Sequence, residues 1–290
     1  MSRRTLNIIG ILILMGITSV VSVLAYTYII GGSGEPSQPI SAPTLSANAT
    51  EDPEIAALKT QVAELQAANA TLSAANAAAG IAVPTLSAES ATEEAAVEAE
   101  AESASASAAS VVYRIVPEES RVSFTLTEDL RGQPTTVVGT TNQVAGDILV
   151  NFADPASSQV GMIRINARTL VTDQEFRNRA IRAEILQSAQ DVYEFIEFTP
   201  TAITGLPETV DVGQTVSFQI VGDLKIRDIV QSVTFDATAT LVSSDRLEGS
   251  ATAQVTRDQY GLQIPNAPGV ANVSNDVTLG IEFVATQVTE

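Results

Sequence analysis

The stretch VTFDATATL, Val233–Leu241, places Val233, Phe235, Ala237, Ala239 and Leu241 at every second position, with Thr234, Asp236, Thr238 and Thr240 between them. Successive side chains of an extended chain point to opposite faces, so this stretch reads as a strand with one apolar and one polar face. The alternation recurs in RVSFTLTE (Val122, Phe124, Leu126), in VSFQIVGDLKI (Val216, Phe218, Ile220) and in VTLGIEFVA (Val277, Leu279, Ile281, Phe283). Turn-forming Gly, Pro, Asn and Asp separate these runs. About eight or more such strands after Val112 predict an all-β domain, an antiparallel barrel or sandwich. One segment breaks the period: Phe176, Ala180, Ala183 and Leu186 fall at near-helical spacing and predict a single interrupting helix.

Composition excludes much chemistry. The chain has no cysteine and no histidine, which removes thiol nucleophiles, disulfides, imidazole bases and zinc sites built on either residue. No calcium-loop spacing, phosphate loop or nucleophile elbow is present. Asp147, Asp223, Asp258 and Asp276 sit in turn-like settings, where Asp shapes backbone. No catalytic residue, cofactor or metal ligand is expected, and the chain does not read as an enzyme. Its formal charge of −19 makes nucleic acid a poor partner.

The first thirty residues differ from the rest. Arg3 and Arg4 precede an uncharged run, Ile8–Ile30, that would reach about 34 Å as a helix, enough to cross a bilayer. Basic residues on the short flank favour an N-terminus inside and everything after Gly31 outside. A single-pass anchor with an extracytoplasmic C-terminal domain is therefore expected, with a cleaved signal peptide as the rival reading.

Residues 31–111 are rich in Ala, Ser, Thr, Glu and Pro and carry one Lys against eleven acids. Such a composition cannot bury enough to fold as a globule and reads as an acidic stalk. Within it Ile55, Leu58, Val62, Leu65, Asn69, Leu72 and Asn76 follow alternating steps of three and four. That seam predicts a short coiled coil over 53–79, and with it either a homodimer or a lone alanine-rich helix.

The domain from 112 to 290 is also net acidic, yet RNRAIRAEILQS, Arg177–Ser188, puts three arginines within six residues. Asp173 and Glu175 stand four residues before Arg177 and Arg179. The helix is thus expected to neutralise its arginines locally and to cover one end of the domain. The alternative gives Arg179 or Arg182 to a polar ligand head at a barrel mouth.

Taken in order, YRIVPEESRVSFTLTE, VAGDILVNF, IRINARTLVTDQEFRNRAIRAEILQSAQDVYEFIEFTPT, VGDLKIRDIVQSVTFDATATL, GSATAQVTRDQYGL and VTLGIEFVAT form a series that resembles the YceI-like family from Tyr113 to the end. The resemblance implies an extended antiparallel β-barrel of lipocalin-like architecture. It also implies an apolar lumen holding an isoprenoid lipid, a polyprenyl chain or an isoprenoid quinone. The residues expected to line that lumen are Val122, Phe124, Leu126, Ile163, Ile165, Ile196, Phe198, Phe218, Ile220, Val233, Phe235, Leu279, Ile281 and Phe283. An eight-stranded barrel is either filled by side chains or wide enough for one ligand. A filled barrel would make the domain a structural or protein-interaction module of the cell surface instead of a lipid carrier.

Overall fold

The computed structural model describes residues 29, 32–46 and 110–288. The predicted coiled coil, and the predicted anchor apart from Ile29, lie outside those residues. Among the described residues no helix is long and apolar enough to cross a membrane. The chain divides into two units, one formed by Met1–Leu45 with Ser110–Glu290 and the other by Ser46–Ala109.

The first unit is an antiparallel sheet. Its strands are β1 (Ser110–Ile115), β2 (Arg121–Leu130), β3 (Gln133–Thr141), β4 (Val144–Ala145), β5 (Asp147–Asn151), β6 (Gln159–Val160) and β7 (Ile163–Asn166). After the helix α1 (Glu175–Ala180) come β8 (Phe195–Thr204), β9 (Thr215–Ile226), β10 (Ile229–Ser243), β11 (Arg246–Thr256), β12 (Val270–Ala271) and β13 (Asp276–Gln287). The pairing order runs β4-β7-β8-β9-β10-β11-β13-β1-β5-β6, with β2 joining β13 to β3 and β12. β4 and β5 stand far apart on this path but are separated in sequence by Gly146 alone, so the sheet curls back toward its own beginning. The result is an all-β half-barrel with one short helix.

Register puts the period-two residues on the concave side. Phe235 lies opposite Ile220, Ala237 opposite Phe218 and Ala239 opposite Val216, while Ile281 lies opposite Val122 and Leu279 opposite Phe124. The polar residues between them face outward, where Gln219 bonds Asp236 and Thr215 bonds Thr240 across the β9–β10 pair.

The helix is shorter than the sequence period suggests. α1 ends at Ala180 and the chain continues as a single π turn, Ile181–Ile185. The wider turn moves every later side chain off the 3.6-residue period. Ala180, Ala183 and Leu186 are buried as expected, but Arg182 is drawn inward to 2 % exposure and Phe176 stays 45 % exposed. Leu170, Ile181 and Leu186 pack this segment against Ile226 and Tyr260 at one end of the half-barrel. Tyr113, Ile115, Leu241, Leu247 and Ala285 fill the opposite end.

Residues 32–46, compositionally the start of the stalk, lie along the outside of the half-barrel. Arg179 donates to the Gly32 carbonyl at 3.3 Å, and the main-chain N–H and hydroxyl of Ser37 both donate to the Glu194 carboxylate. Arg164 donates to the Ser41 carbonyl, and the Leu45 N–H donates to Asp147. With the strap in place Glu194 and Asp147 are 1 % and 2 % exposed, so its N–H and hydroxyl groups supply hydrogen bonds to carboxylates that are sealed from water.

Candidate functional site

The concave face encloses a cavity of about 350 Å³ with an almost wholly apolar wall. It runs along the strands: Phe235, Ala237, Ala239 and Leu241 are successive inward positions of β10, about 20 Å of chain. One end lies under α1 and the loop carrying Leu262, Ile264 and Pro265. The other lies under the loop carrying Leu206 and Val210.

Three phenylalanines face this space without filling it, because each ring lies on a glycine of a neighbouring strand. A Cβ on Gly139 would stand 2.1 Å from the Phe124 ring, one on Gly222 would stand 2.6 Å from Phe198, and one on Gly249 would stand 2.6 Å from Phe283. Glycine's missing side chain lets the ring rest against backbone, the arrangement by which aromatics cover sheet glycines. Phe198 also meets Phe235 edge to face, with centroids 4.9 Å apart. The aromatic rings thus line the wall as a thin layer.

Thirteen of the fourteen residues expected at the lumen line the cavity: Val122, Phe124, Leu126, Ile163, Ile165, Ile196, Phe198, Phe218, Ile220, Phe235, Leu279, Ile281 and Phe283. Val233 does not border it. It points inward beyond the end of the cavity and belongs to the packed cluster with Ile226 and Tyr260.

The arginines separate by role. Arg177 lines the cavity and bonds Glu128, which also lines it, at 2.6 Å, and a second bond joins Arg177 to Asp173. Glu128 is 6 % exposed, and this pair together with Arg257, which donates to the Leu262, Val273 and Ser274 carbonyls, makes up the charged part of an otherwise apolar wall. Arg179 and Arg182 do not border the cavity, and both meet Glu175, at 3.1 and 3.3 Å. Burial pulls the Arg182 guanidinium below its usual range, with Glu175 opposing. The local pairing expected from the sequence is present, Asp173 with Arg177 and Glu175 with Arg179, and the arginine that borders the cavity is Arg177.

Tyr260 and the two loops at the cavity ends carry no period-two signal, so alternation does not identify them. Tyr260 lines the cavity wall and is 1 % exposed. Its hydroxyl has no hydrogen-bond partner among the described residues, and burial pushes the phenol up to about 12. The apolar residues of LQIPNAPGV, Leu262–Val270, stand in a turn-rich segment, and that mismatch was the available signal. Among the described residues no three acidic side chains gather as a metal site.

The sequence profile of the YceI-like domain family matches residues 113–285. Among solved structures, a polyisoprenoid-binding domain from Saccharophagus degradans implicated in plant cell wall breakdown is similar at 12 % identity. The match covers 61 % of this chain and 99 % of that one, with a TM-score of 0.48. BcnA from Burkholderia cenocepacia is similar at 16 % identity over 59 % of this chain and 99 % of its own, with a TM-score of 0.46. The YCEI protein of Campylobacter jejuni is similar at 15 % identity over 52 % and 85 %, with a TM-score of 0.42. No curated protein matches the chain.

Proposed function

Because the chain belongs to the YceI-like domain family, we propose that its half-barrel is a non-enzymatic carrier for an isoprenoid lipid. In this reading the apolar run Ile8–Ile30 anchors it to a membrane, with the half-barrel on the extracytoplasmic side. The observation that carries the reading is the cavity itself. A site of about 350 Å³ is within the range of small-molecule pockets, roughly 300–1,000 Å³, and its elongated apolar wall suits a hydrocarbon chain.

Binding energy comes from taking that chain out of water, about 0.8 kcal/mol for each methylene buried. Such a contact is non-directional, so the wall selects length and thickness, and the few polar groups at the ends select what the chain carries. The seating of Phe124, Phe198 and Phe283 on glycines weighs against a filled interior and the structural-module alternative.

The test is mass spectrometry of organic extracts from the purified full-length protein. A stoichiometric polyprenyl or isoprenoid-quinone species is expected. A protein that arrives empty and does not take up added isoprenoid quinone or polyprenyl phosphate overturns the proposal.

A further inference from the structure

The stalk sequence does not lie in series between the predicted anchor and the half-barrel. Residues 32–46 are already bonded to the half-barrel before the stalk continues, and the chain rejoins the sheet at Ser110. The segment between is therefore an excursion that begins and ends on the same folded unit. Whatever its length, it does not set the distance from the membrane to the sheet.

What sets that distance is the chain before residue 32. The apolar run ends at Ile30, and the Gly32 carbonyl already accepts from Arg179 on α1. Two residues later Gly34 takes φ 82° against Arg182, where a Cβ would stand 2.9 Å from the guanidinium. From there the strap descends in order past Glu194, Arg164 and Asp147, so it leaves the α1 end first. Only Gly31 separates the apolar run from the bonded strap, and Ile30 and Gly32 are at most about 7 Å apart along extended chain.

The surface at this end suits the neighbour such a tether imposes. Val171, Phe176, Val192 and Val230 are large apolar side chains left exposed around α1 and the β9–β10 turn. Phe176 is both exposed and part of the cavity wall, which makes it the rim of the lumen. The exposed Val212 and Val242 mark the opposite end, and the exposed Val138 lies on β3 away from the cavity.

We propose that the α1 end of the half-barrel is a membrane-docking face, held against a lipid bilayer by the 32–46 strap so that the lumen opens toward lipid at Phe176. The inference rests on the reading of Ile8–Ile30 as an anchor and of the lumen as a lipid site. It adds the orientation: cargo passes between bilayer and lumen at the α1 end, without crossing water.

The absence of native cysteine makes single labels available. Full-length Val230→Cys and Val212→Cys are labelled with bimane and placed in phosphatidylcholine vesicles containing doxyl-labelled lipid. Quenching at 230 is expected to exceed that at 212 several-fold. Inserting about 20 Gly and Ser residues after Gly31, a coil of roughly 25 Å, is expected to remove the difference while leaving the fold untouched. Equal quenching at the two sites in the unextended chain overturns the docking face. A difference that survives the insertion overturns the role of the strap. A chain that does not float with the vesicles removes the anchor and this inference together. One that floats and carries isoprenoid but quenches equally removes the docking face alone.

Discussion

The ring of Phe124 lies across Gly139, its register partner on the next strand, so closely that any Cβ there would overlap it. Phe283 has the same relation to its partner Gly249, and Phe198 lies over Gly222 two pairs along. An open lumen lined with phenylalanine is possible because the rings spread along the wall.

Replacing Gly139 by Ala is therefore expected to turn the Phe124 ring into the lumen, since the ring supplies all the nearest atoms a Cβ would meet. Circular dichroism should be unchanged, and the isoprenoid extracted per mole of protein should fall. Undiminished lipid content would contradict the role given to this glycine.

Ala251 borders the cavity between Ala237 and Ile281. Ala251→Leu adds three carbons to the wall and displaces a similar amount of ligand. The expected cost is about 2 kcal/mol, roughly 30-fold in Kd, measured by titration of isoprenoid quinone into lipid-depleted protein.

Arg177→Met leaves Glu128 buried without its cation. Removing one partner of such a pair is expected to destabilise by about 3 kcal/mol, and the double variant Glu128→Gln/Arg177→Met to recover most of that. Thermal melts of the two variants check it, and a double variant no more stable than the single one would remove the pair from the account.

Burial pushes the Tyr260 phenol up to about 12, from an unfolded value near 10. Between these values the unfolded chain loses a proton that the folded chain keeps, so stability is intact below pH 10 and falls as pH rises toward 12. Tyr260→Phe removes that slope. It should also raise stability by about 1 kcal/mol at neutral pH, because a buried hydroxyl with no partner among the described residues is deleted. Urea titrations at pH 8 and pH 11 distinguish the two proteins.

Burial alone would raise the Glu194 carboxyl. The Ser37 hydroxyl and N–H, the Asn166 amide and the Arg168 guanidinium outweigh it and hold the group below its usual value. A depressed carboxyl stabilises above its unfolded value and loses that contribution as pH falls through the folded one. Strap docking is thus expected to weaken under acid, read as a lower hydrogen-exchange protection factor at the Ser37 amide once the intrinsic pH dependence of exchange is divided out. Ser37→Ala should move the onset to higher pH.

Period two was enough to read the strands of VTFDATATL and its companions, because alternation reports local geometry and needs no partner. It also picked out nine of the thirteen expected residues that line the cavity, since the concave sheet turns the apolar faces of these strands the same way; Ile163, Ile165, Ile196 and Phe198 came with the family resemblance. It could not separate Val233 from Phe235, two inward residues of one strand, because only the end of the cavity distinguishes them. Nor could it place Arg177 at the cavity wall: helical spacing shows its Asp173 partner four residues earlier, but not Glu128, which β2 brings to the same side chain from 49 residues away.

By itself the sequence determined the all-β class, the single helix, the family resemblance and an apolar interior, all written in short-range periodicity and in landmarks along the chain. Tertiary structure alone decided that the phenylalanines lie on glycines and that the interior is hollow. It alone decided that Ser37 meets Glu194, 157 residues away. The physical reason is one of range: a pattern records which face a side chain takes, whereas close packing and buried hydrogen bonds depend on what distant segments bring to that face.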